Sequence, residues 1–455
     1  MVFKRKIEKT LQQWKLKENP KPLLLRGARQ VGKSTLVKSF GEDFATYIEL
    51  NLEKSEHLKF FEDYGDDVSL IMEAILLEKN LPKQLGRTLL FIDEIQESPR
   101  AIKLLRYFYE ELPELRVIAA GSLLEFAMSK VKSFPVGRVL QLACHPMDFE
   151  EFLIALDETQ ALQYFNTIPL PDFAYPKLLS LFHEYARVGG MPEAIKTYTQ
   201  NERSIISLQE VYSSIWDNYL DDVDKYTTND KHRKVIRHIM DTAPGIRDRI
   251  TYANFGGSSY KSREVSESFR LLNLAKIIRT VYPTTDLQPP LSDELKRKPK
   301  IQFLDTGIMN YAAGIQDEML AIKDLNSLYK GYIVNHMANQ ELIAQQDNVR
   351  YKLHFWLREN ANANAEVDIA IRYMQHIIPV EVKSGAQGRL RSLHEFIDRV
   401  DHSLGIRLLA NRVKVESSKT RTNKQFTLLN LPYFLVSKLS DYIEWVNEKY
   451  ELGLE

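Results

Sequence analysis

The sequence predicts an α/β protein of several domains, and three stretches carry that expectation. "LLLRGARQVGKST" (23–35) is a short apolar run that breaks at glycine and restarts in lysine, serine and threonine. "RTLLFIDEIQESP" (87–99) is a second apolar run, Leu89 to Ile92, ending on two adjacent carboxylates. "NANAEVDIAIRYMQHIIPVEVKSG" (362–385) alternates on either side of a turn and carries acids on both halves. The first two are strands of a parallel sheet buried on both faces, where runs are continuous; the third pair is half-buried, where they alternate.

A chain of 455 residues is too long for one core and is expected to hold two to four domains. With 44% apolar and 27% charged residues it has material to bury, which excludes a disordered, collagenous or disulfide-built chain. Lys+Arg and Asp+Glu balance at 61 each, so contact with nucleic acid has to come from local clustering. The one cysteine, Cys144, rules out an internal disulfide and a cysteine zinc cluster and reads as a small buried residue. The start of the sequence is charged throughout, unlike a signal peptide, and no apolar run approaches the roughly 20 residues that span a bilayer. The expected location is cytoplasmic, with no membrane contact.

Leu23 to Leu25 form the first strand. Gly27, Ala28, Arg29, Gln30, Val31 and Gly32 form a tight loop, and a helix begins near Lys33. Glycines let successive N–H groups turn inward around an anion, and the helix start adds its positive dipole end. In this GxxxxGK[ST] pattern Lys33 bridges β- and γ-phosphates, the hydroxyl of Ser34 ligates Mg²⁺, and Thr35 lies toward the α-phosphate. The expected ligands are ATP and Mg²⁺. The next apolar strand ends beside the phosphate loop, as strands of open α/β sheets do at their ligand edge. There Asp93 holds the metal through water, and Glu94 polarises the attacking water.

After the helical stretch "RAIKLLRYFYEELPE" comes the strand "LRVIAAGS". Ser122 at its end is a candidate γ-phosphate sensor, or the N-cap of the helix beginning "LLEFAMSK". Arg138, in a glycine turn before the next strand, is a candidate to reach γ-phosphate charge in its own subunit or in a neighbour of a homo-oligomer, or else a solvated arginine.

With "GARQVGKST", "LLFIDEIQ" and "VIAAGS" in order, the chain resembles the AAA-type ATPases. More narrowly it is similar to a bacterial and archaeal group whose AAA-like module precedes a C-terminal half of unknown function. The marks of that group are Gly137–Arg138, "HPMDFEEFL" from His145, "VGGMPEAI" from Val188, "FLDTGI" from Phe303 and "EVDIAI" from Glu366.

Helical spacing from Asp148 onward predicts a lid or connector, in which "GGMP" is a turn before a proline-started helix. From Lys231 to Pro283 the order helix, helix, helix, hairpin suits a winged helix, with Ser262 capping a recognition helix that carries Arg263, Ser266 and Arg270. Eleven Lys/Arg against six Asp/Glu between Arg247 and Lys300 fit a phosphate-contacting face, DNA or RNA being the candidate partner, although winged helices also bind proteins. The expected domains are 1–147 (ATPase), 148–235 (lid), 236–315 (winged helix) and 316–455.

In the last domain, alternation places Glu366, Asp368 and Ala370 on one face of a strand, and Glu381 and Lys383 with Ile377 on the next. Asp followed by Glu-x-Lys is the arrangement of PD-(D/E)xK nucleases, in which two carboxylates hold Mg²⁺ and the lysine steadies water or developing phosphorane charge. A preceding helix supplies Glu341 as a further candidate. Asn335 stands where similar sequences often carry a glutamate, and a neutral amide lacks the anionic pull on a metal. The basic run from Lys383 to Lys424, with only five acids from Glu381 to Lys424, offers a nucleic-acid surface whether or not the site cuts.

Overall fold

The computed structural model describes residues 2–122, 124, 135, 137–227, 230–315, 331–359, 365–383, 385 and 390–454. They divide into two compact units. The first comprises 1–146 with 274–276 and 346–350; the second comprises 147–273, 277–345 and 351–455.

The first unit is built on five parallel strands: β1 (Leu23–Arg26), β2 (Thr46–Asn51), β3 (Thr88–Asp93), β4 (Arg116–Gly121) and β5 (Leu140–Ala143). Their order is β2-β3-β4-β1-β5. β3 is buried along its whole length, which explains its unbroken apolar run. Leu24, Ile48, Leu90 and Ile92 pack with Ile71, Ile75, Ile102 and Leu105 from the covering helices Val68–Glu78 and Pro99–Glu111. Ser98 caps the second of these by accepting the Ala101 N–H, with Pro99 in its first turn.

Register fixes the two edges of the sheet. Arg26 lies beside Gly121 on β4 and beside Ala143 on β5, and Ile92 lies beside Ala119. The phosphate-loop sequence, the Asp93–Glu94 pair and Gly121–Ser122 therefore emerge together at the carboxyl edge, where the strand order reverses across β1.

The second unit starts with helices and ends on a seven-stranded mixed sheet. Its strands are β6 (Ile278–Val281), β7 (Pro283–Thr284), β8 (Lys300–Phe303), β9 (His354–Leu357), β10 (Glu366–Tyr373), β11 (His376–Val382), β12 (Leu404–Leu409), β13 (Lys414–Lys419) and β14 (Gln425–Pro432). The large sheet has the order β13-β14-β12-β11-β10-β9-β7, and β6 and β8 form a separate antiparallel pair. β9, β10 and β11 are antiparallel, whereas β11, β12 and β14 run parallel. The helix Arg391–Ile397 packs Leu393, Phe396 and Ile397 against Trp356, Val367, Ala370 and Ile377.

Two local expectations are corrected. The second of the three helices expected between Lys231 and Pro283, "RITYANFGG" (249–257), holds only a 3-10 turn, Phe255–Gly257, because Asn254 and Gly256 take left-handed backbone (φ 53° and 59°) that no right-handed helix accommodates. The helices Asp230–Thr242 and Ser262–Leu274 flank it. On β10 the ladder to β9 slips between Val367 and Ala370, and both residues join the same core cluster although three positions apart. Strict alternation, which grouped Ala370 with Glu366 and Asp368, fails across that bulge.

The motifs "VGGMP" and "FLDTG" meet in a buried polar lock. The Asp305 carboxylate accepts the N–H of Gly190 and of Ile308. Gly189 has φ 72°, and a Cβ there would lie 2.4 Å from Asp305 Oδ1, so only glycine fits. Burial pushes the Asp305 carboxyl up to about 6, against the N–H donors that favour its charged form.

Candidate functional site

At the carboxyl edge of the first sheet the loop between β1 and the helix Lys33–Gly41 is shaped by its two glycines. A Cβ on Gly27 would sit 2.3 Å from the carbonyl oxygen of Cys144, so the loop can pass β5 only without a side chain there. Gly32 has φ 90°, and Gln30 is also left-handed at φ 63°. Within this frame Lys33 is buried, and its Nζ donates to the carbonyl oxygens of Gly27 (3.1 Å) and Ala28 (2.7 Å). Burial lowers its pKa, with the nearby Glu94 and Asp93 opposing that shift.

Across the loop, Ser34 Oγ donates to Asp93 Oδ2 at 2.7 Å. The Glu94 N–H donates to the other oxygen, Asp93 Oδ1, at 3.0 Å. Burial raises the Asp93 pKa, and the Ser34 hydroxyl works against it. A hydroxyl and a carboxylate converging at the helix start are the hard oxygen donors that a hydrated Mg²⁺ takes, so this donor set fits the expected metal. Glu94 itself has left-handed backbone (φ 49°, ψ 46°). Arg29 Nε donates to Ser122 Oγ at 3.3 Å, which ties the loop to the end of β4. Ser122 is buried beside the loop; the helix it was expected to cap lies mostly outside the described residues.

Arg138 is placed elsewhere. It precedes β5, whose first residue, Leu140, pairs with Leu23 at the start of β1, so it lies at the amino edge of the sheet. Its Nε is 2.8 Å from Glu110 Oε1. A phosphate held by the loop of the same chain is on the opposite edge, and the in-chain reading of Arg138 is withdrawn.

In the second unit a cavity of about 730 Å³ is lined by Asp368, Glu381, Lys383, Glu366, Lys300 and Asn335, among others. Asp368 Oδ2 accepts the Val382 N–H at 2.9 Å, and Glu381 Oε1 lies 2.5 Å from Lys383 Nζ. Lys300, from β8, enters the same cluster: its Nζ is 2.6 Å from Glu366 Oε1 and 3.9 Å from Asp368 Oδ1. It also stands 4.7 Å from the centre of the Phe355 ring. Glu381 Oε2 is buried without a hydrogen-bond partner among the described residues. Burial, with Asp368 adding to it, pushes the Glu381 carboxyl up to about 7, and burial also raises Asp368.

Glu341 does not belong to this cluster. Fully buried, its Oε1 accepts the Phe149 N–H at 3.0 Å, at the start of the helix Phe149–Ala155. That helix is already capped by Asp148 and Glu151 in a reciprocal pair. Glu341 supplies a further acceptor for the N–H groups that a helix start leaves unpaired.

Lys300 was missed because it arrives from a separate two-stranded element 68 residues before Asp368. Much of the C-terminal basic run is spent internally. Arg407 bonds Asn430, Arg399 pairs with Glu395, Lys414 pairs with Glu416, and Lys424 bonds main-chain carbonyls of Ile397 and Val400. Among the described residues no helix is long and apolar enough to cross a membrane.

Comparison with known proteins covers the chain in three parts. Residues 19–153 match a family described as "AAA domain"; residues 179–319 and 330–434 match two different domains of unknown function. No curated protein matches. Similar solved structures include a Walker-type ATPase of Pyrococcus abyssi, at 14% identity and TM-score 0.45, covering 68% of this chain and 96% of that one. Another is a signal transduction ATPase with numerous domains (STAND) that carries a tetratricopeptide repeat sensor, from Pyrococcus horikoshii. Its identity is 10% and its TM-score 0.27, with 76% of this chain and 46% of that one covered. The parallel-sheet unit with its glycine loop is an AAA-type P-loop ATPase domain, and the enzyme class of the chain is ATP hydrolase.

Proposed function

We propose that the first unit binds ATP with Mg²⁺ through Gly27–Thr35 and Asp93 and hydrolyses it with Glu94 as the base, in service of a nucleic-acid-binding, nuclease-like second unit. The observation that carries the first half is the 2.7 Å contact between Ser34 Oγ and Asp93 Oδ2 opposite the buried Lys33. Mg²⁺ held by Ser34 and Asp93 would supply charge neutralisation to the phosphates. The chain's own groups do the rest. Lys33 exchanges two neutral carbonyl acceptors for phosphate oxygens, a gain in charge-assisted bonding. Glu94 takes a proton from water as its oxygen attacks the γ-phosphorus; the bond from that phosphorus to the bridging oxygen breaks, leaving ADP and inorganic phosphate. Ser122, held by Arg29, registers the γ-phosphate at the end of β4.

For the second unit, the order helix Tyr332–Ala344, antiparallel β9-β10-β11, helix Arg391–Ile397 and parallel β12 supports the PD-(D/E)xK reading. The donor set is spare. Among the described residues no three His, Cys, Asp or Glu side chains converge as metal ligands. Mg²⁺ often uses only one or two carboxylates and completes its shell with water and phosphate. The unpartnered Glu381 Oε2 and Asp368 suit that mode. Lys300 and the neutral Asn335 argue for a site that binds a nucleic acid strand and does not cut it in this conformation.

The test is steady-state ATP hydrolysis with and without Mg²⁺ and with and without DNA or RNA, alongside plasmid cleavage in Mg²⁺ or Mn²⁺. Metal-dependent hydrolysis stimulated by nucleic acid, with an intact plasmid, is the expected outcome. Hydrolysis indifferent to either polymer would replace the coupled reading with that of a nucleotide switch. Cleavage abolished by Asp368→Ala would favour the endonuclease.

A further inference from the structure

We infer that Gln96 is a positioning residue for ATP hydrolysis, fixing the Glu94 carboxylate and linking it to the end of β4. The inference rests on the reading of Glu94 as the base.

Three independent features converge on this side chain. The 3-10 turn Ile95–Glu97 follows directly on the left-handed Glu94. Gln96 Nε2 then donates to Glu94 Oε2 at 2.5 Å. Amide oxygen and nitrogen are told apart by their partners, and a carboxylate accepts only from the nitrogen, so the orientation is set. Finally, Gln96 Oε1 is buried with no hydrogen-bond partner among the described residues, and it lies 2.2 Å from where a Cβ on Gly121 would be. The amide is thus wedged between the base and the last residue of β4 by packing on one side and one hydrogen bond on the other.

A buried amide oxygen without a donor is unfavourable, and the loss is recovered only through what the other end of the amide does. Here that is to remove rotational freedom from Glu94, whose short turn would otherwise leave its carboxylate mobile. Gly121 is followed directly by Ser122, which Arg29 of the phosphate loop contacts. Loop, strand end, amide and base form one contiguous path, so a shift of Ser122 when phosphate arrives is transmitted to the carboxylate through the close contact of Gln96 with Gly121.

The experiment uses the full-length protein with ATP for turnover and ATPγS for affinity. Gln96→Met keeps the side-chain length and removes the donor. It is expected to lower kcat by roughly 10- to 100-fold while the ATPγS Kd and melting temperature stay at the wild-type values. Gly121→Ala, which pushes on the amide oxygen, is expected to lower kcat similarly in the wild type. In a Gln96→Ala background, where that oxygen is gone, it should lower kcat little further. Wild-type turnover in Gln96→Met overturns the inference. So does a loss of affinity that accounts for the whole effect, or an equal cost of Gly121→Ala in both backgrounds. Glu94→Gln separates the two levels: if it still turns over, the assignment of the base has failed; if it is dead while Gln96→Met is normal, only the role of Gln96 has failed.

Discussion

The phosphate-loop site and the cavity of the second unit each set lysine against carboxylates, and they dispose of the charges in opposite ways. Around β1 the ammonium of Lys33 is turned onto main-chain carbonyls, and Asp93 takes a proton donor from Ser34 rather than from a cation. Positive and negative groups are both held ready and neither is spent. Around β10 and β11 the lysines sit directly on the acids, Lys383 on Glu381 and Lys300 on Glu366 and Asp368. A ligand entering the first site gains charge–charge contacts while displacing neutral ones. A cation entering the second has to displace an ammonium that is tethered and always present. The first arrangement suits a polyanion with its metal; the second suits a site that is closed until something moves Lys300.

The strongest way to break this contrast is Lys33→Ala. If the lysine is held in reserve for phosphate, its loss should lower kcat/KM for ATP on the order of 10³-fold, as removal of a focused cationic or hydrogen-bond donor does. What the fold loses is two bonds to main-chain carbonyls and the attraction of Asp93 and Glu94, and a melting curve of the variant separates that loss from the loss of turnover. Unchanged hydrolysis would mean that the loop holds no phosphate.

The second unit answers through stability. His336 is buried: its Nε2 accepts the Phe303 N–H at 3.1 Å, and its Nδ1 lies 3.0 Å from Thr306 Oγ1. Burial lowers its pKa from 6.5 to about 3. A histidine depressed in the fold binds fewer protons folded than unfolded. Its contribution is complete above the unfolded value of 6.5 and lost as pH falls toward 3, in total on the order of 5 kcal/mol. Urea titrations between pH 7 and 4 should show that slope, and His336→Gln should flatten it. Asp305, raised to about 6, contributes with the opposite sign between 3.8 and 6, so the His336 slope has to be read as the difference between wild type and variant. Glu341→Ala should cost about 2–4 kcal/mol through the lost cap and the void left behind. A loss of nucleic-acid binding at unchanged stability would return Glu341 to the site.

Lys300→Ala sharpens the comparison directly. With the tethered cation gone, Mn²⁺ should bind the carboxylate cluster about 10-fold more tightly by titration calorimetry, one charge pair near a partly wet cavity being worth roughly that factor. Asp368→Asn in the same background should abolish the gain. Equal affinity with and without Lys300 would show that it does not compete for the metal's place.

How much of this was legible from sequence follows from how far apart the partners lie. That the glycine loop and the Asp93–Glu94 pair come together could be read because each stands in consecutive residues at the end of a strand buried on both faces. Glu341 could not: it serves a helix start 192 residues away, and nothing in local spacing separates a buried cap from a metal ligand. The β10 bulge defeated alternation for a similar reason, since an inserted residue leaves no local sign. "FLDTG" did contain its own clue, an Asp three residues before Ile308 in an N-cap pattern, which the Asp305 side chain fulfils. The place of Arg138 was also open to derivation. In an all-parallel sheet a residue just before a strand belongs to the amino edge, and phosphates bind at the other.

That edge assignment makes Arg138→Ala the smallest expected effect. Its guanidinium is solvent-exposed and paired with Glu110 on the helix Pro99–Glu111, an arrangement that contributes little in water. Within one chain, no rotation of a side chain carries it from the amino edge past the length of β5 to the phosphate loop. ATP turnover of the variant should stay within twofold of wild type at concentrations where light scattering shows a monomer. If the loss instead grows as protein concentration rises, and vanishes on dilution, the arginine is acting on a neighbouring copy's nucleotide. The amino edge would then be half of a composite site, and the phosphate-loop site would no longer be complete within one chain.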